Sequence, residues 1–196
     1  MTDPTPDMLR ELMDGSGHHE VVEEDRQLQE PWSPPPHFDV NLYPLKGTFR
    51  EHQVRALAEA DCKAGHAFFL DPGAGKTALV ISEASRLFEE GKIDGLIALA
   101  PNGPHQQIID EQLPLWCSVP WRGFHNKQKK RAIDSFFSRA ATGTMGVMAM
   151  NYDALITLKG RALIDRFMEK YPRVYVAFDE SSKLKSPSSK RTHEAR

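Results

Sequence analysis

The chain is poor in the features that mark several whole classes of protein. It has 2 cysteines in 196 residues, Cys62 and Cys117, and neither sits in a Cys-x-x-Cys or Cys/His spacing. That excludes a disulfide framework, argues against structural zinc and suits a reducing intracellular compartment. His18, His19, His105, His125 and His193 likewise show no metal-ligand spacing. No apolar run approaches the roughly 20 residues that span a bilayer, and the N-terminus lacks the apolar core of a signal peptide. The expectation is a soluble, cytoplasmic protein with no membrane partner.

A net excess of charge of either sign is also lacking, with 25 Lys and Arg against 27 Asp and Glu. The net charge of -2 conceals an asymmetry: the first 30 residues hold nine acids against Arg10 and Arg26, which leaves the rest of the chain basic by about five charges. An acidic arm on a mildly basic body suits a protein that meets a polyanion. Residues 1–45 are acidic, poor in aliphatics and centred on Pro31-Trp32-Ser33-Pro34-Pro35-Pro36. Such a segment buries too little apolar surface to form a core, so it reads as a flexible arm with at most a short helix over Met8–Met13.

From Phe49 helix and strand signals alternate. Helices are expected over Arg50–Ala64, Lys76–Glu90, Gln106–Gln112, Lys127–Ala140 and Arg161–Lys170. Apolar strands are expected at His66–Leu70, Leu96–Ala100, Gly146–Met150 and Val174–Phe178. Continuous apolar strands separated by helices indicate an α/β domain with a mostly parallel sheet covered on both faces.

Asp71-Pro72-Gly73-Ala74-Gly75-Lys76-Thr77 falls between an expected strand and an expected helix. Glycines there let backbone N–H groups turn inward toward an anion, and the helix adds the positive end of its dipole. Lys76 would then reach the β- and γ-phosphates of a nucleotide, and the Thr77 hydroxyl would ligate magnesium. The usual pattern has a glycine where Leu70 stands, so an ordinary strand-to-helix turn remains the competing reading. Asp179-Glu180 follows the last strand. Taken alone, the pair reads as a helix N-terminal signal. Beside a phosphate loop, Asp179 would hold magnesium and Glu180 would polarise the attacking water.

Five blocks in this order resemble the superfamily 2 helicases, most closely the Snf-type DNA translocases. Phe49-Arg50-Glu51-His52-Gln53 is similar to the block whose Gln recognises adenine, which implicates Arg50 and Gln53 in base binding. Asp71–Thr77 is similar to motif I, with Pro72, Gly73, Ala74, Gly75, Lys76, Thr77 and Ala78 around the nucleotide; that family also commonly lacks the first glycine. Leu99-Ala100-Pro101, Met150-Asn151-Tyr152-Asp153 and Asp179-Glu180-Ser181-Ser182-Lys183-Leu184-Lys185 resemble motif Ia, the Thr-Tyr-Glu block and motif II with its extension.

The resemblance covers residues 46–196 and implies a RecA-like phosphate-loop NTPase lobe, incomplete at its C-terminal end, that takes ATP and Mg2+. It implies DNA as partner, most naturally double-stranded, with contacts from Pro101, Asn102 and Tyr152; by their charge, Arg122, Lys127, Lys129, Lys130, Lys183 and Lys185 are further candidates. It also implies a second RecA-like lobe, in the same gene or a separate chain, bearing arginine fingers. Without that lobe the chain is expected to bind nucleotide better than it hydrolyses it, since such a finger is worth a factor of about 10³ to 10⁵ in rate. Ser181-Ser182 departs from the family's Ala-His and puts coupling in question. A different phosphate-loop motor and a non-catalytic nucleotide- or DNA-binding module remain alternatives. Trp121–Arg131, the densest basic stretch, reads equally as a nucleic-acid contact or a solvated helix start. Trp116 reads as a core anchor.

Overall fold

A strand that is apolar at every position has no face to give to water. It is best satisfied at the centre of a sheet, covered on both sides. The computed structural model, which describes residues 32–61, 63, 65–140 and 142–179, shows that arrangement for the two central strands. Along the chain come α1 (Glu51–Ala60), α2 (Lys76–Glu89), β1 (Gly95–Ala100), α3 (Pro104–Gln107), a π-turn (Ile108–Gln112) and α4 (Leu113–Trp116). Then follow β2 (Trp121–His125), α5 (Lys130–Ser138), β3 (Met145–Asn151), α6 (Tyr152–Leu155), α7 (Leu158–Lys170) and β4 (Val174–Phe178). The helix expected at Met8–Met13 and everything after Asp179 lie outside the described residues.

The four strands form one sheet in the order β2-β3-β1-β4, and every pairing is parallel. β1 and β3 are buried at every position. Their side chains alternate between two cores. Leu96, Ala98, Ala100, Val147 and Ala149 face Ile81 and Ala84 of α2 together with Ile108, Ile109 and Leu113. Ile97, Leu99, Met148 and Met150 face Phe136 of α5, Phe167 of α7 and Leu155. The fold is thus α/β, a parallel sheet with helices on both faces.

The helix ends follow local chemistry. Gly91, at φ 65°, stops α2 in the left-handed region while Lys92 N–H returns to Leu87 O at 2.9 Å, as a C-terminal glycine cap does. The π-turn precedes Pro114, whose missing N–H cannot complete a regular turn and whose ring needs the extra room.

Three expectations change. Residues 66–70 are not paired into the sheet; Phe69 is 94% exposed, and the carbonyls of Leu70 and Asp71 accept hydrogen bonds from Lys76 instead. β2, by contrast, was not expected as a strand. It lies at the sheet edge beside β3, where a run with Arg122, Gly123 and His125 is tolerated. Finally, the compositional boundary at 45/46 falls inside a packed segment: Phe38 and Tyr43 are buried, Tyr43 Oη donates to Asp61 Oδ1 at 2.8 Å, and Lys46 N–H donates to Trp116 O at 2.9 Å. Trp116 does serve as an anchor, packed against the first core.

Gly95 and Gly146 face each other across β1 and β3. Their bareness is used: a Cβ on Gly146 would lie 2.4 Å from the Tyr171 ring, and one on Gly95 would lie 3.1 Å from Phe167. Gly146→Ala is therefore expected to destabilise the fold by about 1–3 kcal/mol, the ordinary cost of overpacking. Urea denaturation would measure it against Gly65→Ala, whose Cβ meets nothing within 4 Å. Equal midpoints for the two variants would contradict the packing account.

Candidate functional site

Parallel strands end on one edge, and the residues that follow them collect there. Pro101 follows β1, Asn126 follows β2, Tyr152 follows β3 and Asp179 follows β4. The glycine loop Asp71–Thr77 reaches the same place through α2. Lys76, Thr77 and Asp179 all line one cavity of about 440 Å³, with Phe68, Phe69, Val80 and Tyr175 among its other walls. The structure thus brings together three of the residues singled out in the sequence, across about a hundred intervening positions.

The loop is built by hydrogen bonds at both ends. Ala74 N–H donates to Asp71 O at 3.1 Å, closing a turn. Gly73 and Gly75 sit at φ 81° and 84°, a region that costs other L-residues roughly 1–2 kcal/mol. Lys76 Nζ donates to Leu70 O at 2.7 Å and to Asp71 O at 3.1 Å, so the ammonium lies against the loop's own backbone. As the first residues of α2, Lys76 and Thr77 carry N–H groups that the helix itself leaves without acceptors, next to the positive end of its dipole. Ala78 differs: it is buried, and its N–H donates to Gly75 O at 3.0 Å. Pro72 is on the exposed rim.

Arg50 and Gln53 open α1. Arg50 is exposed, and its N–H donates to Gln53 Oε1 at 2.9 Å. Gln53 is buried and its Nε2 donates to Ala74 O at 3.2 Å. Asp179 is half-buried. Its N–H donates to Leu99 O at 2.7 Å and its carbonyl accepts from Tyr152 Oη at 2.6 Å. Tyr175, four residues earlier on this strand, has its hydroxyl pushed up to about 12 by burial and then by Glu83. Glu180, Lys183 and Lys185 lie outside the described residues.

The nucleic-acid candidates separate. Tyr152 is only 3% exposed, so it holds Asp179 from inside the core and offers no surface to a nucleic acid. Arg122 is committed to the end of α5, donating to Ala140 O at 2.7 Å and Phe136 O at 2.9 Å, with its guanidinium carbon 5.3 Å from the centroid of the Phe136 ring. It lies toward the opposite end of β2, away from the edge that holds the loop. Lys127, Lys129 and Lys130 are exposed at that edge, as is Asn102, while Pro101 is half-buried.

Sequence reasoning missed a polar cluster beneath these lysines. His105 and His125 are buried with ring centroids 5.9 Å apart, edge to face. His105 Nδ1 lies 3.1 Å from Pro101 O and 3.3 Å from Gly103 N, donating or accepting according to tautomer. His125 Nε2 is 3.6 Å from an Asp110 carboxylate oxygen. Beside them Asn126 Nδ2 donates to Asn151 Oδ1 at 2.7 Å. Only three-dimensional proximity reveals this group, because its members are spread from residue 101 to 151. Cys117 is buried and inert, its thiol pushed up by burial. Among the described residues no group of three or more His, Cys, Asp or Glu is placed to hold a metal, and no helix is long and apolar enough to cross a membrane.

No family model matches the sequence, and no curated protein matches it.

Burial holds both imidazoles below the usual histidine range. Asp110 opposes the shift at His125, and the bond to Pro101 O opposes it at His105, where His125 and Lys127 add to it. The unfolded chain therefore takes up protons first as the pH falls, so the stability present above about pH 6.5 is lost below it. Denaturation midpoints are expected to drop between about pH 7 and about pH 5.5, and to drop less steeply in His105→Phe, which cannot titrate. Identical slopes for wild type and variant would refute this.

Proposed function

We propose that this chain is the ATP-binding lobe of a DNA-dependent ATPase, a RecA-like phosphate-loop domain of the Snf-type superfamily 2 helicase branch. The observation that carries the reading is the meeting of Lys76, Thr77 and Asp179 on one cavity at the carboxyl edge of a parallel sheet. Neither a chance Gly-Lys turn nor a chance acidic strand end requires the other to be there. The five sequence blocks supply the choice of family.

In this reading Lys76 donates to the terminal phosphate oxygens, and the N–H groups of Gly73, Gly75, Lys76 and Thr77 turn toward the same anion, while that of Ala74 stays on Asp71 O. Thr77 and Asp179, which carry hard oxygen donors, line the same cavity. That fits magnesium, which takes one or two protein oxygens and completes its shell with water and phosphate. The ion, when bound, neutralises charge on the phosphates. Glu180, the next residue after Asp179, is proposed to orient the attacking water. A second RecA-like lobe is proposed to complete the site and to supply an arginine. Lys127, Lys129 and Lys130 are proposed to face the DNA backbone, with Pro101 and Asn102 beside them; Lys183 and Lys185 are further candidates from the sequence pattern.

Lys76→Ala is expected to weaken Mg-ATP binding at least about tenfold, the loss of a charge-assisted hydrogen bond. Calorimetry with a melting curve on the same sample measures it, and unchanged affinity in a folded variant would sink the nucleotide reading. For DNA, affinity for a labelled duplex should fall steeply between about 50 and 200 mM salt, with each lost lysine contact reducing the log–log slope by about 0.9. A triple substitution of Lys127, Lys129 and Lys130 by Ala should flatten that slope. Salt-independent binding would rule out the proposed backbone contacts.

A further inference from the structure

Gln53 is the third residue of α1, and both ends of its amide are engaged. Oε1 accepts from Arg50 N–H at 2.9 Å and Nε2 donates to Ala74 O at 3.2 Å, leaving the residue 8% exposed. The loop backs directly onto this amide: a Cβ on Gly75 would stand 2.4 Å from Gln53 Nε2. His52 brings a second nitrogen to the same carbonyl, its ring Nε2 lying 3.2 Å from Ala74 O. With its N–H held by Asp71 O at 3.1 Å, Ala74 is tied on both sides.

Planarity turns these ties into an orientation. In a trans peptide the C=O of one residue and the N–H of the next point in opposite directions. Drawing Ala74 O toward α1 therefore turns Gly75 N–H away from α1, onto the other side of the loop. We infer that Gln53, assisted by His52, is a positioning residue that sets the Gly75 N–H as an anion donor, and that it acts on the triphosphate rather than on the base. The inference rests on the nucleotide reading above. It departs from the expectation that Gln53 recognises adenine, because the amide that would meet the base is buried and occupied by the loop.

Inorganic tripolyphosphate separates the two roles, since it has phosphates and no base. Wild type and Gln53→Glu would be titrated with Mg-ATP, Mg-GTP and magnesium tripolyphosphate, with melting curves to check the fold. The glutamate keeps the oxygen that caps Arg50 and loses the donor to Ala74 O. A uniform loss of about fivefold to thirtyfold for all three ligands is expected, with the ATP to GTP ratio unchanged. His52→Ala, at an exposed position, should give a smaller uniform loss and keeps the test open if Gln53→Glu folds poorly. Loss of ATP affinity alone, with tripolyphosphate unaffected, would overturn the positioning role in favour of base recognition. A wild-type protein that binds none of the three ligands would overturn the nucleotide reading itself.

Discussion

Parallel pairing of β1 with both β3 and β4 is the constraint on which the rest of the molecule depends. It places Leu99 opposite Met150 on one side and Phe178 on the other. Every following residue then emerges at the same edge, and every connection must cross a face of the sheet. The crossing helices supply the two cores, and the aligned strand ends supply the cavity. The ladder continues one residue beyond β4, through Asp179 N–H to Leu99 O at 2.7 Å. Tyr152, one residue past β3, then holds the Asp179 carbonyl from the far side at 2.6 Å. Two strand ends thus set the backbone position of a single residue, Asp179.

At the opposite end of the sheet the same strands are pinned by a different device. Arg173 Nη2 and Nε reach the two Asp94 carboxylate oxygens at 2.6 and 2.9 Å, and the arginine also donates to Gly91 O. The pairing holds the Asp94 carboxyl below the usual carboxylate range. An exposed ion pair adds little stability. Its role is geometric. Asp94 N–H and Gly95 N–H both donate to Arg173 O, at 2.7 and 3.2 Å, while Gly146 N–H donates to Asp94 O at 3.0 Å. The start of β1 is thereby aligned with β4 and β3 together, and a slip of one residue would move every core side chain to the wrong face.

What could be read in the sequence was whatever rests on uninterrupted apolar runs and glycine signals. β1, β3, β4 and α2 are of that kind, and so is the loop before α2. β2 was hidden because an edge strand needs apolar residues only where it touches its neighbour. Phe124 is 1% exposed, but Trp121-Arg122-Gly123 around it reads as a basic turn. The reverse error befell residues 66–70. Their composition suits a strand, yet strand formation needs a partner, and that is a tertiary fact. Roles were less legible than elements. Arg122 and Tyr152 look like contact residues by type, but one ends α5 and the other lies in the second core. Side-chain type cannot announce which way a residue faces.

The glycine loop illustrates how a short segment comes to have one shape. Three groups from separate elements bear on it: Gln53 from α1 on Ala74 O, Asp71 O from the loop's own start on Ala74 N–H, and Lys76 from α2 on the carbonyls of Leu70 and Asp71. Each neutral bond contributes only about 1 kcal/mol net, and those to the lysine somewhat more. No single tie therefore dominates. Their directions do, because α1 and α2 approach the loop from different elements and each fixes a different peptide. Gly73 and Gly75 let the backbone follow all three without strain at φ 81° and 84°, and the lack of a Cβ on Gly75 is what lets Gln53 come close enough to hold it. Shape here results from several weak bonds that agree, around two residues that oppose none of them.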